Sequence, residues 1–156
     1  MEPAEWAQSQ IENMQAKRDA EARKEEVFLE RQKLVKAHAV DLWQAVIQAF
    51  QEHCEEYNRL RLQDERSLGF HCVNRHLCML RRDGGWSEVT VGFNPSTHVI
   101  RVKANNCVFD ETYKPKPLTD GEVVLYRRGQ FPVTSNDVAQ AAIGAFLKGR
   151  EFAESM

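Results

Sequence analysis

The chain has 156 residues, of which 42% are hydrophobic and 28% are charged, a composition typical of a folded domain rather than a disordered chain. Its formal net charge of -2 gives no overall attraction to nucleic acid or to anionic membrane. The charge is unevenly distributed: residues 1–66 hold 10 Lys and Arg against 14 Asp and Glu, whereas residues 67–156 hold 11 against 9. An acidic front half and a basic back half can attract one another, within one chain or between two chains.

The first ten residues, MEPAEWAQSQ, lack the basic and apolar regions of a signal peptide. No stretch reaches the roughly 18–20 apolar residues that a membrane span needs. The four cysteines are scattered, and without an export signal we expect them to be reduced thiols: Cys54, Cys72, Cys78 and Cys107. The sequence therefore predicts a cytoplasmic protein that does not bind membranes.

Residues 4–62 form the first predicted helix, because they contain no Gly and are rich in Ala, Glu, Gln, Lys and Arg. In the second half of this helix, apolar side chains recur in steps of three and four, which is typical of an amphipathic helix with a buried face; they are Val40, Trp43, Ile47, Phe50, Cys54 and Tyr57. Before about Glu26 the apolar residues become sparse. We therefore expect residues 1–25 to be a projecting helical or frayed segment and residues 26–152 to be a single α+β domain.

The predicted helix is longer than the sheet that it would cover. From Glu26 to Leu60 it would run about 50 Å at 1.5 Å per residue, whereas strands of six to eight residues span about 20–27 Å. The overhanging part carries large apolar side chains, namely Trp6, Ile11, Met14 and Phe28. Two interpretations stay open: a frayed terminus, or self-association through these four residues, which would make the protein a homo-oligomer.

After Gly69 the hydrophobic pattern changes to the two-residue alternation of β-strands. Strands are predicted at 70–80, 86–93, 97–104, more weakly at 107–113, and at 122–128, with a hairpin turn at RRDGGW and a loop at YKPKPLTDGE. Thr134 and Asp137 form a capping box that opens a C-terminal helix. The predicted fold class is therefore α+β, a four- to five-stranded antiparallel meander with both helices on one sheet face.

The segment GFHCVNRHLCML, residues 69–80, combines histidines and cysteines but is interpreted as one β-strand. In a single strand Cys72 and Cys78 would lie roughly 20 Å apart, too far to share a metal ion whose ligands lie at about 2.0–2.3 Å. No CxxC or HxxxH pair occurs in the chain. The sequence therefore predicts no metal site and no cofactor.

No phosphate-binding loop, dinucleotide-binding fingerprint or nucleophile elbow occurs in the sequence, so no catalytic residue is predicted. The outward sheet face is the candidate binding surface, because aromatic side chains beside cations suit stacking and charge recognition; it would carry His76, Trp86, Arg101, Lys103, Tyr126 and Arg128. We expect a non-catalytic interaction module that self-associates through its long N-terminal helix and has a protein partner. Nucleic-acid binding by the sheet face is the alternative, followed by a small-molecule enzyme.

Overall fold

The computed structural model describes residues 1–128 and 131–151. These residues form a long N-terminal helix, an antiparallel sheet and a C-terminal helix, which confirms the predicted α+β class. The elements are α1 (Pro3–Leu60), β1 (Leu68–Asn74), β2 (Leu77–Arg82), β3 (Glu88–Phe93), β4 (Ile100–Ala104), β5 (Asp110–Pro117), β6 (Val123–Arg127), β7 (Phe131–Val133) and α2 (Ser135–Lys148). Each strand pairs antiparallel with the next along the chain, so the sheet is a meander in the order β1 to β7.

The chain divides into two compact units, Met1–Leu34 and Val35–Met156. The described residues of the first unit lie almost entirely in the N-terminal part of α1. The second unit holds the remainder of α1, the sheet and α2. The predicted boundary after residue 25 stays a prediction, and the predicted domain end at residue 152 lies outside the described residues.

The sheet has seven strands rather than the predicted four to five, and the first additional strand comes from the segment 70–80. This segment is a hairpin, because β1 and β2 pair antiparallel on either side of a turn at Arg75 and His76. No Gly or Pro marks this turn. It is closed instead by the Asn74 side chain, which accepts a hydrogen bond from the His76 backbone N–H at 2.8 Å, as asparagine commonly does in turns.

The prolines of β5 explain why its second half was wrongly predicted to be a loop. The first half of β5, Asp110 to Tyr113, pairs with β4, whereas Pro115 and Pro117 pair only with β6. A proline has no N–H to donate, so it is tolerated where the strand has no neighbour on one side. The seventh strand, Phe131–Val133, is too short to produce an alternating pattern that sequence reasoning could detect.

The core is one cluster of side chains from the buried sheet face, from residues 39–54 of α1 and from α2. The strand register explains this, since Leu80 pairs with Val89 and Val91 with Val102, and cross-strand partners share a face. The helices contribute Ala39, Trp43, Val46, Ala49, Phe50, Cys54, Val138, Ala139, Ala142, Ile143 and Phe146. Val40, which was predicted to be buried, is 53% exposed because the buried stripe passes through its neighbour Ala39.

Candidate functional site

The strand register brings three of the predicted surface residues to the outward sheet face. Lys103 pairs with Thr90, Arg101 pairs with Gly92 and Thr112, and Tyr126 pairs with Lys114. These positions alternate with the buried residues of the same strands, so their side chains lie on the face that is not packed against the core. We call Arg101, Lys103, Lys114, Lys116 and Tyr126 the outward patch.

Two predicted cations are held by carboxylates. Arg101 donates from Nε and Nη2 to the two oxygens of Asp110, at 3.0 and 2.8 Å, and this hydrogen bonding raises the pKa of Arg101 and lowers the pKa of Asp110. Arg128 binds Glu111 in the same way, at 3.2 and 2.8 Å. The Arg101–Asp110 pair compensates charge within the outward patch, which reduces the field that the patch offers to a polyanion.

An aromatic–cation pair was missed by the sequence reasoning. Lys116 Nζ lies 5.3 Å from the centre of the Tyr126 ring, within the range of a cation–π contact. Lys114 pairs with Tyr126 across β5 and β6. Both lysines were missed because their segment was interpreted as a loop; the alternation of Lys114 and Lys116 with prolines is the signal that could have revealed them.

The other predicted surface residues lie elsewhere. The His76 ring is 6.0 Å from the Phe93 ring, and His76 and Arg101 line the same open groove of about 590 Å³. Trp86 is in the loop between β2 and β3 and is 65% exposed. Arg128 has a φ of 54°. Its partner Glu111 lies between the outward-facing Asp110 and Thr112 of β5 and therefore points to the other face of the sheet. The structure thus places Arg101, Lys103 and Tyr126 on one sheet face, and it places His76 in the groove that Arg101 also lines. Trp86 and Arg128 lie outside this surface.

The prediction of four reduced thiols is wrong in the structure. Because β1 and β2 fold back on one another, Cys72 and Cys78 are direct cross-strand neighbours with Cα atoms 3.9 Å apart and form a disulfide. The sequence reasoning placed them at opposite ends of one strand. Cys54 and Cys107 are free, and burial together with the charge of Glu55 raises the pKa of the Cys54 thiol to about 12, so this thiol is protonated and a poor nucleophile.

We expect removal of the disulfide to lower the free energy of unfolding by about 2 kcal/mol, because the cross-link restricts the unfolded chain. Cys72→Ser with Cys78→Ala removes it, since Cys72 is exposed and Cys78 is buried. Urea unfolding of the wild type and of this variant, each with and without reductant, measures the effect. The two proteins should coincide in reductant. A titration of denatured, non-reduced wild type should find two thiols per chain; four would contradict the cross-link.

A buried polar cluster near the end of α2 was not predicted. Arg82 Nη1 donates to Glu151 at 3.0 Å, and Arg82 Nη2 donates to the backbone oxygen of Leu147 at 3.1 Å. The Arg82 guanidinium also lies 4.8 Å from the centre of the Phe146 ring. Glu151 accepts from the backbone N–H groups of Trp86 and Ser87, each at 2.7 Å. Because the charged groups satisfy one another, we assign this cluster a structural role.

The four predicted self-association residues lie in the first unit, and all four have large apolar side chains that are more than half exposed. Trp6 is 58% exposed, Ile11 61%, Met14 57% and Phe28 58%. Ile11 and Met14 are three residues apart and Met14 and Phe28 are two heptads apart, so these three lie along one stripe of the helix. Trp6 lies about 140° around the helix from Ile11 at about 100° per residue and is outside that stripe.

No protein-family model, curated protein or solved structure matches this chain. Within residues 1–128 and 131–151, neither helix has a stretch that is long and apolar enough to cross a membrane. In the same ranges no group of three or more His, Cys, Asp and Glu side chains is placed to hold a metal ion. The candidate sites of the chain are its exposed surfaces, namely the outward patch and the stripe on α1.

Proposed function

We propose that this chain is a non-catalytic interaction protein that self-associates through its N-terminal helix. The observation that carries the proposal is the exposed stripe formed by Ile11, Met14 and Phe28, each at least 57% exposed. Transfer of such side chains out of water is favourable, by about 1.5–3 kcal/mol for each one that becomes fully buried. A second copy of the helix supplies an apolar surface of the same kind, at the same spacing.

The charge pattern adds support to helix association. The helix is rich in both signs of charge, so its polar faces stay hydrated while the stripe associates. Exposed charged residues surround the stripe and limit association to a defined face. The outward patch is the second surface of the proposal, for a protein partner, because the Lys116–Tyr126 pair offers an aromatic and a cation together.

We expect Ile11→Ala with Phe28→Ala to weaken self-association, because the two side chains supply most of the apolar area of the stripe while alanine keeps the helix stable. Light scattering of the full-length chain over a range of concentrations measures this. The wild type should approach twice the mass of the chain. The double variant should require a concentration at least about tenfold higher to reach the same fraction of dimer.

A matched control tests whether the position of the apolar groups matters. Val27 and Val40 are 49% and 53% exposed on α1, and both lie off the stripe. Val27→Ala with Val40→Ala removes two exposed apolar side chains and should leave the dimer unchanged. A wild type that is monomeric at every concentration would refute the proposal. Equal weakening by both double variants would show that the stripe is not the surface that associates.

Nucleic-acid binding by the sheet face is the second candidate, supported by the exposed Lys103 and by the exposed Lys114, which pairs with Tyr126 across β5 and β6. The pairing of Arg101 with Asp110 weighs against it. Binding of a labelled single-stranded oligonucleotide that falls steeply with salt would favour this candidate. Self-association through apolar side chains would change little over the same range of salt.

The cytoplasmic location was predicted from the lack of an export signal, and reduced cysteines were expected to accompany it. The Cys72–Cys78 disulfide contradicts the expected reduced thiols and weighs against the cytoplasmic prediction, because disulfides persist mainly in oxidising compartments. The thiol titration described above tests directly whether these two cysteines are cross-linked.

A further inference from the structure

We propose that the N-terminal helix pairs with a second copy of itself in antiparallel orientation, about a two-fold axis between residues 19 and 20. This inference deepens the proposed function and depends on it. The exposed stripe is part of a longer series in which residues recur in alternating steps of four and three, the spacing of a coiled-coil seam. The seam comprises Ala7, Ile11, Met14, Arg18, Glu21, Glu25, Phe28 and Gln32.

The centre of the seam is charged, and these charges decide the orientation. Arg18, Glu21 and Glu25 are exposed, and in the described part of the chain none of them forms an ion pair. A parallel dimer in register would place each of these residues against its own copy, so that three successive layers would hold like charges. Like charges placed together at the centre of an interface are strongly unfavourable.

The antiparallel arrangement removes this conflict. Two-fold symmetry about a point between residues 19 and 20 pairs positions whose numbers add to 39. Arg18 then faces Glu21 of the second copy, and Glu21 faces the second copy's Arg18. Ile11 faces Phe28 on both sides of the centre, and Met14 faces Glu25, whose aliphatic stem can cover it while the carboxylate reaches the edge.

The neighbouring antiparallel registers have less favourable charge pairing. If the pairing is shifted by one heptad toward the C-terminus, Glu21 faces Glu25 of the second copy. A shift of one heptad toward the N-terminus faces Arg18 with Met14 and Ile11 with Glu21. This register loses the Arg18–Glu21 pairing and places more charges against apolar groups than the favoured register does. In the favoured register Lys17 and Lys24 approach each other only at the solvent-exposed edge, where salt screens their repulsion. A polar centre that fixes register at some cost in stability is a common feature of coiled coils.

Charge exchange at the two central positions tests the orientation in the full-length chain. Arg18→Glu places two carboxylates in each central layer of the antiparallel dimer, and Glu21→Arg places two guanidinium groups there. Each single variant should raise the dimer dissociation constant by about tenfold or more. The double variant Arg18→Glu/Glu21→Arg restores opposite charges in both layers and has the net charge of the wild type, so its dissociation constant should return to within about threefold.

Arg23→Glu is the matched control, since it makes the same change of charge at an exposed position outside the seam and should change the dissociation constant less than about twofold. Circular dichroism of each variant checks that the helix is retained. A dimer that none of the seam variants weakens, or that the double variant fails to restore, overturns the antiparallel pairing while self-association stands. A wild type that is monomeric at all concentrations overturns the proposed function itself.

Discussion

Replacement of Trp43 by alanine is expected to lower the free energy of unfolding by about 3–5 kcal/mol. Trp43 is 1% exposed, and its ring stacks on Phe93 with the ring centres 5.5 Å apart. Its Nε1 donates a hydrogen bond to the backbone oxygen of Arg75 at 2.9 Å. Because Arg75 lies in the β1–β2 turn, one side chain of α1 both fills the core and holds the turn that the sequence reasoning missed.

Urea unfolding followed by far-ultraviolet circular dichroism measures this loss, at one fixed protein concentration because self-association adds a concentration-dependent stability. Trp43→Phe keeps an aromatic ring but removes the N–H donor, and should cost about 1–2 kcal/mol. Trp86→Ala is the control, since Trp86 is 65% exposed and its loss should change stability by less than about 0.5 kcal/mol. Similar losses for Trp43→Ala and Trp86→Ala would contradict the packing of α1 on the sheet.

The helices and the central strands were predictable because each carries a strong local pattern. Apolar residues at helical spacing around Trp43 and Phe50, and the capping box at Thr134, identify the two helices before any contact is known. The alternation in β3 and β4 identifies those strands in the same way. Local patterns of this kind depend only on near neighbours in the chain.

The errors have a common physical origin, which is that pairing across strands is not visible locally. The β1–β2 turn lacks Gly and Pro and is closed by the His76 backbone N–H, which donates to the Asn74 side chain. The two strands therefore looked like one in the sequence. That error placed Cys72 and Cys78 far apart and concealed the disulfide. The prolines of β5 looked like loop residues until the register showed that they pair only with β6.

The candidate surfaces were predictable only in part, because local alternation places a side chain on one sheet face but does not show which side chains of other strands it contacts. Alternation placed Arg101 and Lys103 on the outward face, as the register has them. Their ion-pair partners could not be predicted, since the Arg101–Asp110 contact requires the pairing of β4 with β5. The exposed apolar residues at the start of α1 were recognised in the sequence, but the charged residues between Met14 and Phe28 interrupt the apolar pattern and conceal the heptad spacing of the stripe.

Replacement of Arg82 by methionine is expected to lower the free energy of unfolding by about 2–3 kcal/mol. The side chains of Arg82 and Glu151 are 12% and 23% exposed, so removal of the guanidinium leaves a largely buried carboxylate without its cation. The same change removes donors from the Phe146 and Leu147 backbone oxygens at the end of α2. Urea unfolding of the full-length chain measures the loss.

Arg81→Met provides a matched control on the adjacent residue. Arg81 also pairs with a carboxylate, that of Glu88, at 2.6 Å, but its side chain is 48% exposed and water screens the pair. We expect this variant to lose less than about 1 kcal/mol. If the two substitutions cost the same, the buried cluster would have no stabilising role beyond that of a surface ion pair.

Glu151→Gln should remove a pH-dependent contribution of the cluster to the free energy of unfolding. Burial raises the pKa of the Glu151 carboxyl, but hydrogen bonds from the Ser87 N–H, the Arg82 guanidinium and the Trp86 N–H outweigh burial and hold this pKa below its ordinary value of 4.5. A carboxyl whose pKa is lower in the folded state stabilises the fold above the pKa of the unfolded chain, and this stabilisation is lost as the pH falls through the folded pKa. The wild type should therefore exceed Glu151→Gln in unfolding free energy at neutral pH, and the difference should shrink below about pH 4.5. A difference that stayed constant down to about pH 3 would show that the variant acts through packing rather than through the charge of Glu151.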